Sequence, residues 1–179
     1  MENERDLPWM YWLAGCFSVR RKTKEKLLDM YGTAENIYNM KKQVLNEPGF
    51  LTDREKKAFL QRGKVDPERE FEDFFRQGGS FTWIGAADYP QKLQPLSGAP
   101  FALFYYGKLP DPEKKAVAIV GARGCTSYGR AAAGSFAEAA ALAGAEIISG
   151  MACGIDNTAQ LAALRVGGTS TAVLGCGTD

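Results

Sequence analysis

The run Ala116-Val117-Ala118-Ile119-Val120 passes directly into Gly121-Ala122-Arg123-Gly124, and the same grammar recurs twice. Ala145-Glu146-Ile147-Ile148-Ser149 leads into Gly150-Met151-Ala152-Cys153-Gly154, and Thr171-Ala172-Val173-Leu174 into Gly175-Cys176-Gly177. Short β-branched runs bounded by glycine, alternating with small-residue helical stretches, predict successive βα units of a parallel sheet. Every strand of such a sheet delivers its following loop to the same carboxyl edge, so the three glycine loops are expected to converge on one crevice. Glycine lets backbone amides approach a ligand, and the next helix N-terminus adds partial positive charge. The combination predicts an anion site.

The first loop, Gly121-Ala122-Arg123-Gly124-Cys125-Thr126-Ser127-Tyr128-Gly129-Arg130, is not a phosphate loop of the Gly-Lys-Ser/Thr kind. Its glycine spacing also departs from the dinucleotide fingerprint, and Ser149 stands where that fingerprint puts a ribose-binding acid at the end of the second strand. Arg123 has little packing use in a glycine turn, whereas its guanidinium suits a bidentate phosphate contact. Thr126 or Ser127 is placed to cap the following helix and to donate to phosphate. The candidate set is Gly121, Ala122, Arg123, Gly124, Thr126, Ser127, Gly129 and Arg130, with Ser149, Gly150 and Gly154 from the second loop. The amides of Gly121, Gly124, Gly150 and Gly154 are expected to form phosphate nests. Asp156 is read as the cap of its helix; an acid/base role for it defines the competing reading, a nucleotide-processing enzyme on a related fold.

Composition narrows the chemistry. The 179 residues carry 22 basic and 21 acidic side chains, so any phosphate binding is local rather than spread over a basic surface. With no histidine, the commonest general base and metal ligand is missing. The cysteines at 16, 125, 153 and 176 show no C-x-x-C pairing. Cys125, Cys153 and Cys176 follow three different strands and are placed to face one another; a thiolate metal site there is set against the preferred reading of small buried thiols. No metal or cofactor is expected. No apolar run approaches the ~20 residues that span a bilayer, and no apolar signal region follows the charged N-terminus. The expectation is a cytoplasmic protein without membrane contact.

Residues 1–77 are predicted to form a small helical domain and 78–179 the sheet domain. Leu27, Leu28 and Tyr31 make a stripe that Gly32 ends, Thr52 with Glu55 reads as a capping box, and Asp66-Pro67 opens a helix bearing Phe71, Phe74 and Phe75. The basic run Arg20-Arg21-Lys22-Thr23-Lys24-Glu25-Lys26 reads as a solvated helix face, with a DNA-backbone contact as the alternative. The stretches 81–84 and 101–106 are predicted strands that extend the parallel sheet. The helix from Tyr128 to Ala143 is rich in small residues and reads as close packing on the sheet, Phe136 included.

These residues resemble the DNA-processing protein A family (DprA/Smf). The resemblance rests on Val117-Ala118-Ile119-Val120-Gly121-Ala122-Arg123 with Tyr128-Gly129, on Ser149-Gly150-Met151-Ala152-Cys153-Gly154-Ile155-Asp156, and on Ala172-Val173-Leu174-Gly175-Cys176-Gly177-Thr178-Asp179. It extends through Tyr89-Pro90, Pro100 and Gly107, and to a helical N-terminus similar to a sterile-alpha-motif-like domain. It implies a Rossmann-like α/β domain that binds single-stranded DNA, helps load a RecA-type recombinase during natural transformation, and is not an enzyme. It also implies a homodimer in the full-length protein. Cys153 stands where the family usually carries arginine. The family continues past the position of Asp179, so the resemblance implies a sheet domain truncated at its C-terminal side.

Overall fold

The computed structural model describes residues 4–41 and 51–175. They form two compact units, Met1–Lys108 and Leu109–Asp179, where the sequence reading drew its domain boundary at 77/78.

The first unit contains helices α1 (Leu7–Gly15), α2 (Arg21–Tyr31), α3 (Ala34–Asn39), α4 (Asp53–Leu60) and α5 (Pro67–Arg76). Their boundaries follow local chemistry. Gly32 ends α2 at φ +79, a conformation that costs an L side chain energy. Thr52 and Glu55 form the predicted reciprocal capping box of α4, and Asp66 caps α5 with Pro67 in its first turn. Leu13, Leu27, Ile37 and Phe59 make the fully buried centre.

The basic run around α2 departs from the expected solvated face. Lys24 turns inward, 3% exposed; its Nζ donates to the Ala14 carbonyl at 2.9 Å and lies 5.0 Å from the centre of the Phe101 ring. Arg20 and Thr23 reach across to buried Glu55, whose carboxylate accepts Arg20 Nε at 3.0 Å and Thr23 Oγ1 at 2.7 Å. Burial alone would raise the Glu55 carboxyl, but hydrogen bonds from Arg20, Thr52 and Thr23 hold it well below the usual carboxylate range.

Strands β1 (Gly79–Trp83) and β2 (Ala102–Tyr106) form an antiparallel pair with Phe81 opposite Phe104. They were expected to extend the parallel sheet. Instead they make a separate two-stranded sheet among the described residues. The reason is aromatic: Tyr11 of α1 meets the rings of Phe71, Phe74, Phe81 and Phe104, and Trp83 packs on the helical core. These rings find their apolar cover within the first unit.

The second unit is α/β and Rossmann-like. Strands β3 (Ala116–Ala118), β4 (Glu146–Ser149) and β5 (Ser170–Ala172) are parallel in the order β3-β4-β5. Val117 sits beside Ile147, and Ile147 beside Ser170. Helices α6 (Ser127–Leu142) and α7 (Ile155–Arg165) cross between them and pack on each other through Ala137, Ala141, Ala159 and Ala163, over the fully buried Ile147. The small-residue stretch expected to pack on the sheet thus meets both the alanines of α7 and Ile147 of β4. Phe136 is the exception. It is 72% exposed and lines a shallow groove with Val117, Val120 and Ala133 beside β3, so the packing role expected of it is not its role in this unit.

Candidate functional site

The parallel sheet brings the loop after β3 and the loop after β4 to one edge, and the two are locked together. Gly154 has φ +97, and a Cβ there would lie 2.3 Å from the Ala122 carbonyl oxygen and 2.5 Å from that of Arg123. Gly121 is equally constrained, since a Cβ would fall 2.7 Å from Ile155. The Ile155 amide donates to the Ala122 carbonyl at 3.3 Å. Both glycines therefore serve the approach of one loop to the other.

Asp156 completes the lock. Its Oδ1 accepts the Gly121 amide at 3.0 Å and its Oδ2 the Gly150 amide at 3.2 Å, with the side chain 6% exposed. This corrects two expectations. Asp156 does not cap α7; it stands within the first turn, and Gly154 occupies the cap position without a side-chain hydrogen bond. The amides of Gly121 and Gly150, assigned to phosphate, are already taken by a carboxylate. An acid/base role for Asp156 finds no support in a buried group whose two oxygens both hold backbone amides. Ser149 also turns inward: its Oγ donates to the Ile119 carbonyl at 2.5 Å and it is 2% exposed.

What stays open lies at the start of α6. Thr126 is the cap, its Oγ1 accepting the Gly129 amide at 3.1 Å. Among the described residues no hydrogen bond closes the amides of Gly124, Ser127 or Tyr128. At the start of α7, by contrast, the Ile155 and Asn157 amides donate to the Ala122 and Ala152 carbonyls, which leaves the Asp156 amide as the open donor there among the described residues. Arg123 is exposed and forms no ion pair or side-chain hydrogen bond among the described residues. Arg130 is exposed too and reaches the Cys125 carbonyl at 3.4 Å. The N-terminus of this 16-residue helix thus presents open amides and the positive end of its dipole, with exposed guanidinium groups at Arg123 and Arg130, the donor chemistry that suits an anion.

The candidate set thus divides. Ala122, Arg123, Gly124, Thr126, Ser127, Gly129 and Arg130 share the edge around the α6 N-terminus, whereas Gly121, Ser149, Gly150 and Gly154 hold the loops in place. Cys153 is exposed and Cys125 half-buried, while Cys176, with the end of the third glycine loop, lies outside the described residues. No group of metal-ligating side chains occurs among the described residues. Nor is any of their helices long and apolar enough to cross a membrane. The Asp156 clasp had no local signature, because its partners lie 35 and 6 residues away.

The family model of DNA recombination-mediator protein A matches residues 80–179. The protein Smf of Synechocystis is 31% identical over 186 residues, an alignment covering 100% of this chain and 46% of that protein. The DNA processing protein DprA of Streptococcus pneumoniae is 33% identical over 126 residues, covering 68% of this chain and 43% of that protein. The X-ray structure of the same S. pneumoniae protein superposes with a TM-score of 0.66 at 26% identity, covering 95% of this chain and 58% of that one. The chain spans about half the length, or less, of the curated relatives it matches.

Proposed function

This chain belongs to the DNA recombination-mediator protein A (DprA/Smf) family, and from that premise we propose that it is a DNA-processing protein that holds single-stranded DNA at the carboxyl edge of its parallel sheet. The strand's phosphates sit at the open N-terminus of α6, contacted by Arg123 and Arg130, with Gly124, Thr126 and Ser127 supplying further donors. The observation that carries this reading is the contrast between the two helix starts: the Ile155 and Asn157 amides of α7 are taken by the Ala122 and Ala152 carbonyls, while the Ser127 and Tyr128 amides of α6 stay open beside an Arg123 that forms no ion pair among the described residues.

The downstream role is to deliver the bound strand to a RecA-type recombinase during natural transformation, as a cytoplasmic, non-catalytic mediator that works as a homodimer. The names and the structure of the relatives support the DNA-processing part of this role. Calorimetry with ATP, NAD and oligo-dT tests the binding step. Oligo-dT is expected to bind, and a micromolar response to a mononucleotide with none to oligo-dT would overturn the reading in favour of a nucleotide-processing enzyme.

A further inference from the structure

We propose that Tyr128 is the base-contacting residue of this edge: its ring stacks on an unpaired base of the strand whose phosphates lie at Arg123 and the α6 N-terminus. The inference rests on the single-strand reading above and adds to it the means of telling a single strand from a duplex.

Three observations lead there. Tyr128 stands in the first turn of α6, the turn with the open amides, and is 81% exposed. Among the described residues its ring has no aromatic neighbour and its hydroxyl no hydrogen bond, so nothing in the fold accounts for a large aromatic side chain held in water. Met151 adds a second exposed apolar side chain at the same edge. It is 58% exposed and has φ +55, the one positive φ of a non-glycine residue among the described residues. A side chain kept in that region despite its backbone cost, directly after a glycine, is a side chain put on display.

Charge selects the partner. From 116 to 157 the exposed charged residues are Arg123, Arg130 and Glu138, while Glu146 and Asp156 are buried. Glu138 lies in the second half of α6, away from the open turn. An aromatic ring flanked in sequence by two guanidinium groups without an ion pair, and with no exposed acid beside it among the described residues, matches a polyanion that carries flat apolar faces. A single-stranded nucleic acid has both; a duplex hides its base faces.

The test compares oligo-dT with an abasic strand of equal length, using the whole chain, Tyr128→Ala and Tyr128→Phe. Tyr128→Ala is expected to weaken oligo-dT binding by about tenfold or more and leave abasic-strand binding unchanged, with Tyr128→Phe close to the parent. If Tyr128→Ala weakens both strands equally, or neither, or if Tyr128→Phe loses as much as Tyr128→Ala, the stacking role is refuted. A parent chain that holds neither strand refutes the single-strand reading and this proposal with it. Circular dichroism of each variant verifies the fold, which an exposed ring is not expected to disturb.

Discussion

The carboxylate of Asp156 accepts the amide of Gly121 at 3.0 Å across 35 residues of chain, and that bond joins the first strand's loop to the helix after the second. With the Gly150 amide on its other oxygen, Asp156 is the tie of the glycine edge. Asp156→Ala leaves two amides without an acceptor. The expected loss is about 3 kcal/mol of stability in urea denaturation, with Asp156→Asn intermediate because it keeps one acceptor oxygen. A variant as stable as the parent would show that the tie is dispensable.

Two glycines of the same edge are expected to respond oppositely to a methyl group. Gly154→Ala places a Cβ against two carbonyl oxygens at a positive φ and is expected to cost at least about 2 kcal/mol, with poor soluble yield. Gly124→Ala meets nothing within 4 Å and is expected to melt like the parent. Equal losses would mean that the loops are not packed backbone to backbone.

Arg123→Ala is expected to weaken oligo-dT binding by ~1.5–3 kcal/mol without a significant change in Tm, since the side chain has no intramolecular partner among the described residues. The slope of log affinity against log salt should become shallower by about 0.7 for one lost phosphate contact. Titrations at three salt concentrations measure both. Parental behaviour throughout would place the anion elsewhere.

Cys153 is exposed in the second loop. Cys153→Arg is therefore expected to fold normally and to tighten single-strand binding, by up to about tenfold for one added charge-assisted contact. An insoluble variant would mean that the loop has no room for a longer side chain.

Lys24 gives the first unit a pH signature. Burial pushes its ammonium down to about 8, below the unfolded value of 10.5, so the fold disfavours the charged form. Stability is lowest below pH 8 and rises as pH climbs through the window between 8 and 10.5. Neighbouring Cys16 works against this above pH 9: burial raises its thiol to about 11, so folding resists thiolate formation there. The clean window is pH 7 to 9, where stability is expected to rise by about 1 kcal/mol. Urea denaturation at pH 7, 8 and 9 measures it, and Lys24→Met is expected to flatten the rise.

Local chemistry wrote much of this fold into the chain. The capping box of Thr52 and Glu55, the Asp66-Pro67 helix start and the stop at Gly32 depend on neighbours a few residues apart, and each lies where the pattern puts it. The three β-branched runs ending in glycine likewise determined a parallel sheet, with the loops after β3 and β4 on one edge, because crossover helices return each strand in the same direction. Tertiary structure decided what those loops do with their glycines. An amide is a donor to whatever acceptor arrives first, and composition cannot tell a phosphate oxygen from the Asp156 carboxylate that folding carries to Gly121 and Gly150. The same holds for the hydrophobic residues: the stretches 81–84 and 101–106 read as part of the parallel sheet, yet their rings went to Tyr11 and the helices. Periodicity states that a face must be covered, and only the packed chain states by what.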